Sequence, residues 1–232
     1  MSFRGILFDL DNTLVDRPRS LSQYAAQFAN HFGQALLPID LPRLDRLIQE
    51  ADGGGYRPKA EMFAILARDL PWQESPSIDQ LQRHWFDTYP GCTQGMEGLH
   101  STLAALRAKN LLLGLVTNGS SKTQNAKVDL LELRPLLDGI AISEEAQIKK
   151  PDRRLFALAL DQIGLKAEEA LFVGDHPIND MLGAAVAGLT PVWFRGSHPW
   201  PAAGQPPKLQ IDALAQLVPL FNNLEADPGP KD

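Results

Sequence analysis

The chain has 232 residues, of which 44% are hydrophobic and 22% are charged, enough apolar material for one large domain or for a core domain with a smaller one. Its formal net charge of -6 argues against a protein that mainly grips a nucleic-acid backbone, since that task needs a basic face. One cysteine, no signal-peptide pattern and no apolar run of about 20 residues predict a soluble cytoplasmic protein.

Short apolar runs without polar alternation recur along the chain and predict strands that are buried on both faces. They span 5–8, 111–116, 139–142, 170–173 and 190–194, and stretches with helical apolar spacing separate them. This alternation predicts an α/β fold, a Rossmann-like three-layer core with a parallel sheet. Ligands of such sheets bind at the carboxyl ends of the strands, so the residues after each run are the candidates for a site. A final amphipathic helix is expected over 211–224.

The segment from about 20 to 89 has no strand pattern and shows apolar stripes at helical spacing instead. We therefore expect an α-helical cap domain over 18–90, inserted after the first strand of a catalytic core formed by 1–17 and 91–232. A glycine-rich loop at 53–58 contains Tyr56 and Arg57. This loop is either a flexible connection between helices or a segment that contacts a substrate.

Two of the predicted strands are followed by polar side chains that could take part in catalysis or ligand binding. Asp9 and Asp11 are two residues apart in extended chain and so point the same way. Such a pair can divide the work of nucleophile or metal ligand and of acid and base, although aspartates also crowd strand-to-loop turns for local reasons. Thr117 and Asn118 offer a hydroxyl, an amide and backbone N–H groups to an anion, although Asn-Gly is also an ordinary turn signal.

Further along the chain, a lysine and two acids also come after predicted strands. Lys150, held by the proline after it, is either a fixed cation for a phosphate or a solvated surface lysine. Asp175 and Asp180 suit a hard metal ion with oxygen ligands, although Asp180 also suits a helix N-cap. Taken together, the strand ends supply an acid pair, a hydroxyl, a lysine and an acid at one edge of the sheet.

These motifs, in this order, resemble the haloacid dehalogenase-like hydrolase superfamily, in particular its members with a helical cap after the first motif. The matching stretches are Asp9-Leu10-Asp11-Asn12-Thr13, Thr117-Asn118, Lys150-Pro151-Asp152, and Gly174-Asp175 with Asp180. Gln147 stands where relatives often have glycine, and Arg153 stands where they often have proline. Because both lie beside the third motif, we expect changes in loop shape and no loss of chemistry.

The resemblance implies a magnesium-dependent phosphatase that hydrolyses a small phosphomonoester, such as a nucleotide, a sugar phosphate or phosphoglycolate, through an aspartyl-phosphate. It implies that Asp9 attacks phosphorus and that Asp11 protonates the leaving alcohol and later takes a proton from water. The implied ligands of Mg²⁺ are Asp9, the backbone carbonyl of Asp11, and Asp175. The implied partner is a small phosphorylated metabolite, with no nucleic-acid polymer and no membrane, bound by a monomer or a homodimer.

The resemblance also implies supporting roles. Thr117 and the backbone around Asn118 would hold the phosphoryl oxygens, and Lys150 would pair with the phosphate and with Asp9. Asn179 and Asp180 would support metal-bound water or Lys150. The alternatives on this scaffold are a phosphoryl-transferring mutase, a 2-haloacid dehalogenase, and a catalytically silent binding module. Dehalogenases of the superfamily lack an acid at the position of Asp11, which disfavours that alternative.

Overall fold

The computed structural model describes residues 3–202 and 204–226, and the chain divides into two compact units. The core unit comprises the N-terminal stretch that ends at Val15 and the chain from Gly95 onward. The helical unit is Asp16–Gln94. Among the described residues, no helix combines the length and the apolar character that crossing a membrane requires.

The core unit is built on a six-stranded sheet in the order β3-β2-β1-β4-β5-β6, with every strand pair parallel. The strands are β1 (Gly5–Phe8), β2 (Leu112–Thr117), β3 (Gly139–Ile142), β4 (Ala170–Gly174), β5 (Thr190–Phe194) and β6 (Leu209–Ile211). The predicted α/β class with a parallel sheet is confirmed. Since the strand order reverses at β1, the carboxyl end of this strand lies where doubly wound sheets bind ligands.

The helical unit contains α1 (Arg17–Phe32), α2 (Leu41–Asp52), α3 (Lys59–Asp69) and α4 (Ile78–Thr88), in agreement with the predicted apolar stripes. Side-chain oxygens of Asp16, Asp40 and Ser77 accept hydrogen bonds from amides of the first turn and so fix the starts of α1, α2 and α4. The apolar faces of the four helices meet in one core, which includes the rings of Tyr24 and Trp85.

A buried ion pair joins α1 to α2 inside this core. Arg17 donates hydrogen bonds of 2.8 and 2.6 Å to the Asp52 carboxylate, and Lys59 donates a third of 2.8 Å. Burial would raise the pKa of the fully buried Asp52, but the charges of Arg17 and Lys59 lower it to about 2. Gly55 has φ 92°, and a Cβ at this position would lie 2.8 Å from Arg17 Nε. A side chain at position 55 would therefore clash with the Arg17 guanidinium, so the ion pair requires glycine at this turn.

Helices cover both faces of the sheet. On one face α5 (Leu99–Arg107) packs with Ile6 and Phe8, and on the other α8 (Arg153–Ile163) packs with Leu7 and Phe172. Because successive residues of a strand point to opposite faces, a strand covered on both sides must be apolar throughout. The remaining helices of the core unit are α6 (Ser121–Leu130), α7 (Ser143–Ala146), α9 (Gly183–Val186) and α10 (Leu217–Ala226), and a π-helical turn, Pro177–Leu182, precedes α9.

The C-terminal part of the core unit differs from the sequence prediction in two ways. The strand β6 pairs with β5 and is absent from the prediction, because three residues are too few to show a period. The helix expected over 211–224 is α10, which begins at Leu217 after a 3₁₀ turn, Leu214–Gln216. Ile211 belongs to β6 instead, and its buried side chain joins the core on that face of the sheet.

Candidate active site

The carboxyl ends of β1, β2 and β4 bring the predicted site residues to one edge of the sheet. Asp9 comes directly after β1, and its N–H donates to the Val173 carbonyl at 2.9 Å, so the pairing with β4 continues to this residue. Thr117 is the last residue of β2, and Asp175 comes directly after β4. Since β1 lies between β2 and β4, Asp9 stands at the centre of the group.

Lys150 lies between two buried carboxylates. Its Nζ donates to Asp9 Oδ1 at 2.5 Å and to Asp180 Oδ1 at 2.7 Å, and 1% of its side chain is exposed. Burial would lower the pKa of Lys150, but the charges of Asp180 and Asp9 raise it above its usual range, so Nζ is an ammonium. Burial raises the pKa of Asp9 to about 7 against the attraction of Lys150. The site thus contains a fixed positive charge in direct contact with Asp9.

Asp180 reaches this cluster through a close approach to the backbone. Its Oδ2 accepts a hydrogen bond from the His176 N–H at 2.9 Å, and a Cβ on Gly174 would lie 2.6 Å from the same oxygen. Only glycine fits at position 174 without moving the carboxylate. The π-helical turn that comes next is capped by His176, whose Nδ1 accepts from the N–H groups of Ile178 and Asn179 at 3.1 and 3.0 Å. The N-cap interpretation of Asp180 is therefore wrong, and Asn179 takes part in this cap through its backbone.

Asp175 has the environment that a divalent cation satisfies. It is fully buried, yet neither carboxylate oxygen accepts a hydrogen bond from the described residues. Burial, then the charges of Asp9 and Asp180, raises the pKa of Asp175 to about 9. One ligand oxygen from each of these three residues lies within 4.8 Å of the other two. Because an unsatisfied buried carboxylate is costly and carboxylate oxygens are hard ligands, these residues fit the predicted Mg²⁺.

The end of β5 and the loop after it contact Asp175 and are not part of the sequence prediction for the site. Trp193 Nε1 donates to the Asp175 carbonyl at 2.9 Å, and the Trp200 ring packs edge-on against Trp193 with centroids 5.1 Å apart. His198 Nε2 lies 3.4 Å from Asp175 Oδ2. No spacing in the sequence connects these residues to Asp175, because the loop reaches the site through the pairing of β5 with β4.

Sequence reasoning also missed two buried side chains that contact Asp11. Lys127 Nζ donates to both Asp11 oxygens at 2.7 Å, and Gln124 Nε2 donates to Oδ2 at 3.1 Å. Both residues lie on α6 and are 2% exposed. A signal existed, because positions 124 and 127 share the helix face of the buried Val128, at i, i+3 and i+4. Polar residues in line with an apolar stripe indicate buried polar contacts.

Thr117 and Asn118 have different surroundings at the end of β2. Thr117 is buried, and its Oγ1 accepts a hydrogen bond of 2.7 Å from Gln124 Nε2. The Asn118 side chain is paired with the backbone of Lys150: Nδ2 donates to the carbonyl at 3.1 Å, and Oδ1 accepts from the N–H at 2.8 Å. The Asn118 amide therefore anchors the loop that carries Lys150.

Comparison with known proteins identifies the scaffold. A family model described as haloacid dehalogenase-like hydrolase matches residues 6–194, which include all of β1 except Gly5, all of β2 to β5, and every motif residue named above. The chain belongs to the haloacid dehalogenase-like hydrolase family. This confirms the resemblance that the four motifs indicate.

Individual members of the family show how far the similarity extends. A glyceraldehyde 3-phosphate phosphatase from Pyrococcus abyssi is 30% identical over 195 residues, which are 82% of this chain and 80% of that protein. The pyrimidine 5'-nucleotidase YjjG of Escherichia coli is 35% identical over 131 residues, 56% of this chain and 57% of that one. The crystal structure of the HAD-hydrolase YfnB from Bacillus subtilis, bound to magnesium, shares the fold with a TM-score of 0.78 at 21% identity and covers 96% of this chain and 100% of that chain.

The two departures from the family pattern have local structural explanations. Gln147 has φ 54°, in the left-handed region that favours glycine, so this position has a backbone conformation that glycine adopts without strain. Arg153 is the first residue of α8, the position at which proline is favourable because its N–H would be unpaired in the helix. Neither residue belongs to the group of three acids, Asp9, Asp175 and Asp180, that could hold a metal ion.

The two predicted cap residues lie in the helical unit. The side chain of Arg57 donates two hydrogen bonds of 2.6 Å, to the carbonyls of Glu50 and Ala51 near the end of α2. Tyr56 is 40% exposed. These contacts give Arg57 a structural role in the turn after α2, and substrate contact by either residue stays a prediction.

Proposed function

We propose that this protein is a magnesium-dependent phosphatase that hydrolyses a small phosphomonoester through an aspartyl-phosphate. The observation that carries the proposal is the buried pairing of Asp9 with the Lys150 ammonium, beside the unsatisfied Asp175 carboxylate. The enzyme class expected from the sequence, a phosphoric monoester hydrolase, is confirmed by relatives that are themselves named as phosphatases. Substrate, metal and intermediate belong to the proposal.

In the first step an Asp9 carboxylate oxygen forms a bond to phosphorus, and the bond from phosphorus to the ester oxygen breaks. Asp11 enters this step as the carboxylic acid and gives its proton to the departing alkoxide, which leaves as an alcohol. In the second step Asp11 takes a proton from water, whose oxygen attacks phosphorus, and Asp9 is released as a carboxylate with free phosphate. Asp11 suits both steps because 20% of its side chain is exposed, against 5% for Asp9.

Other groups would bind and orient the phosphoryl group. The Lys150 ammonium offsets the charge of the phosphoryl oxygens and of Asp9, and the Thr117 hydroxyl donates to one of these oxygens. Asp9, the Asp11 carbonyl and Asp175 would hold Mg²⁺, which when bound neutralises charge on the phosphoryl oxygens. The backbone around Asn118 completes the set of donors.

We further propose that the helical unit serves as the cap and that Tyr56 and Arg57 contact the leaving group of the substrate. Such a cap excludes water while Asp9 attacks phosphorus. A nucleotide, a sugar phosphate or a phosphoglycolate-like compound in the cytoplasm suits this proposal, and the relatives named for glyceraldehyde 3-phosphate and for pyrimidine nucleotides support a small phosphomonoester.

Schiff-base chemistry at Lys59, which lies in the helical unit, is disfavoured by the surroundings of its amine. Its Nζ lies 2.8 Å from the fully buried Asp52 carboxylate and 4.6 Å from the centre of the Trp85 ring. Both contacts favour the ammonium form, whereas a Schiff base needs the neutral amine.

The decisive experiment is Asp9→Asn assayed with p-nitrophenyl phosphate and MgCl₂. Because the amide is no nucleophile, release of p-nitrophenol is expected to fall at least about a thousandfold, and chelation of divalent metal should abolish the wild-type activity. The exposed Asp161→Asn is the matched control and should keep full activity. Full activity of Asp9→Asn would exclude the aspartyl-phosphate, and activity on 2-haloacids without metal would favour hydrolysis at carbon instead.

A further inference from the structure

Lys127 is a buried lysine that the proposed chemistry does not use. Only 3% of its side chain is exposed, and it projects from α6 to the carboxylate of Asp11, 116 residues earlier in the chain. Lysine is almost never buried without a charged partner and a reason. An apolar residue in line with Val128 would serve packing equally well, so the contact with Asp11 calls for a functional explanation.

Lys127 and Gln124 are joined by hydrogen bonds to Asp11 and to each other. Besides its two bonds to Asp11, Lys127 Nζ donates to Gln124 Oε1 at 3.0 Å. Because an ammonium can only donate, this contact fixes which end of the Gln124 amide is oxygen. Gln124 Nε2 then faces Asp11 Oδ2 and the Thr117 hydroxyl, at 3.1 and 2.7 Å.

These hydrogen bonds restrain the rotation of the Asp11 carboxylate more than folding alone requires. Both carboxylate oxygens are held, and by groups on a single helix turn, so rotation of the carboxylate would break several bonds at once. Proton transfer to a leaving oxygen requires the acid to lie within hydrogen-bond reach at a defined angle, and small displacements reduce the rate strongly. The ammonium also stabilises the negative charge that Asp11 acquires as it gives up its proton.

We propose that Lys127 and Gln124 are positioning residues for proton transfer from Asp11 to the leaving group, an inference that rests on the proposed phosphatase function. Gln124 has a second effect on the same edge of the sheet. Since its amide donates to Thr117 Oγ1, the Thr117 hydroxyl accepts there and directs its own proton to another acceptor. The pair on α6 thus aligns the proton donor for the leaving oxygen together with a donor for the phosphoryl group.

The test compares two substrates of nearly the same shape, phenyl phosphate and p-nitrophenyl phosphate. Phenolate is the poorer leaving group and depends on protonation, whereas p-nitrophenolate departs with little help. For Lys127→Met we expect kcat/KM to fall at least about tenfold more for phenyl phosphate than for p-nitrophenyl phosphate. The ratio kcat/KM is the right quantity because it covers the transfer to Asp9 and not the later hydrolysis of the aspartyl-phosphate.

Three further variants separate positioning from folding. Lys127→Arg keeps the charge and the donors and should restore most of the activity on phenyl phosphate. Gln124→Leu keeps the lysine and should show a smaller difference between the substrates in the same direction, which keeps the test available should Lys127→Met fail to fold. Lys122→Met, exposed on the same helix, is the matched control and should behave as wild type.

The possible outcomes are distinct. Equal losses on both substrates for Lys127→Met and Gln124→Leu would assign these residues to stability alone and overturn the inference. A wild-type protein that hydrolyses neither ester would overturn the proposed function, and the inference with it. In a third outcome, wild type hydrolyses both esters, Asp9→Asn abolishes this activity, and Lys127→Met leaves the ratio of kcat/KM for the two substrates unchanged. The proposed phosphatase function would then hold, and the positioning role would be wrong.

Discussion

At the scale of single residues, the Lys150 ammonium contacts the carboxylates of Asp9 and Asp180, and the Asp175 carboxylate lies close to both of these acids. Burial raises the pKa values of Asp9 and Asp175, and repulsion among the carboxylates adds to this because one positive charge cannot offset three negative ones. A divalent cation removes this imbalance. The proposed metal requirement is thus supported by the charges of the side chains as well as by family membership.

Arg57 allows a test of the role of the glycine-rich turn. Arg57→Ala removes two hydrogen bonds to α2 carbonyls, and we expect the free energy of unfolding to fall by about 1 kcal/mol, measured by urea denaturation. If Arg57 also contacts substrate, KM should rise several-fold for the preferred substrate and stay constant in the exposed control Arg46→Ala. An unchanged KM with reduced stability would assign Arg57 to the turn alone.

Site residues at the strand ends could be predicted because their position is set by the apolar runs. Asp9, Thr117 and Asp175 each come within a residue of such an end. Lys127 and His198 could not be placed in this way, since α6 and the loop after β5 reach the site only through the packing of the whole sheet. The spacing of residues in the sequence does not show which distant carboxylate a side chain will contact.

At the scale of secondary-structure elements, strands were more predictable than the turns at their carboxyl ends. The runs 5–8, 139–142 and 190–194 coincide with β1, β3 and β5, because burial on both faces imposes an uninterrupted apolar sequence. Beyond β4 the chain forms a π-helical turn before α9, whereas apolar spacing predicts one helix over 181–187. The wider turn agrees with the frequent occurrence of π-helical geometry at functional sites.

The ion pair that joins α1, α2 and α3 gives a prediction at the same scale. Asp52→Asn leaves Arg17 and Lys59 without their buried counter-charge, and we expect unfolding to become easier by about 3–5 kcal/mol at pH 7. The pKa of Asp52 is lowered to about 2, so its contribution is present above pH 4 and is lost as pH falls through 2. The difference between wild type and variant should therefore shrink on acidification, as urea denaturation at several pH values would show.

The control for this prediction is an exposed ion pair of similar length. Arg68 Nε and Asp69 Oδ1 are 2.5 Å apart, with side chains 72% and 44% exposed. Solvent screens such pairs, so Asp69→Asn should change stability little. Equal effects of the two substitutions would contradict the importance assigned to the buried pair.

At the scale of the whole molecule, the net charge of -6 includes acids that a bound cation would offset. The raised pKa values of Asp9 and Asp175, about 7 and about 9, mean that the folded protein keeps protons that the unfolded chain has released near pH 4. In the presence of chelator, melting temperature should therefore fall between pH 7 and 9. MgCl₂ should stabilise more strongly at pH 9 than at pH 7, because the metal competes with protons.

The chosen pH window separates these acids from the histidines. Burial lowers the pKa values of His176 and His198, so both are neutral above pH 7 and add no slope there. Thermal melts of wild type and of Asp175→Asn, each with chelator or MgCl₂, provide the measurement. The variant should lose most of the pH dependence and most of the metal effect. A wild-type melting temperature that rises from pH 7 to 9 with chelator would contradict the assignment.

The position of β1 also has a consequence for synthesis on the ribosome. β1 is made first, but its sheet partners β2 and β4 begin at Leu112 and Ala170, after the helical unit is complete at Gln94. The helical unit has its own hydrophobic core, so we expect it to fold while β1 still lacks both neighbours. The acids next to β1 therefore lack the β4 side of the site until Asp175 has been synthesised, and the proposed metal site cannot be complete before then.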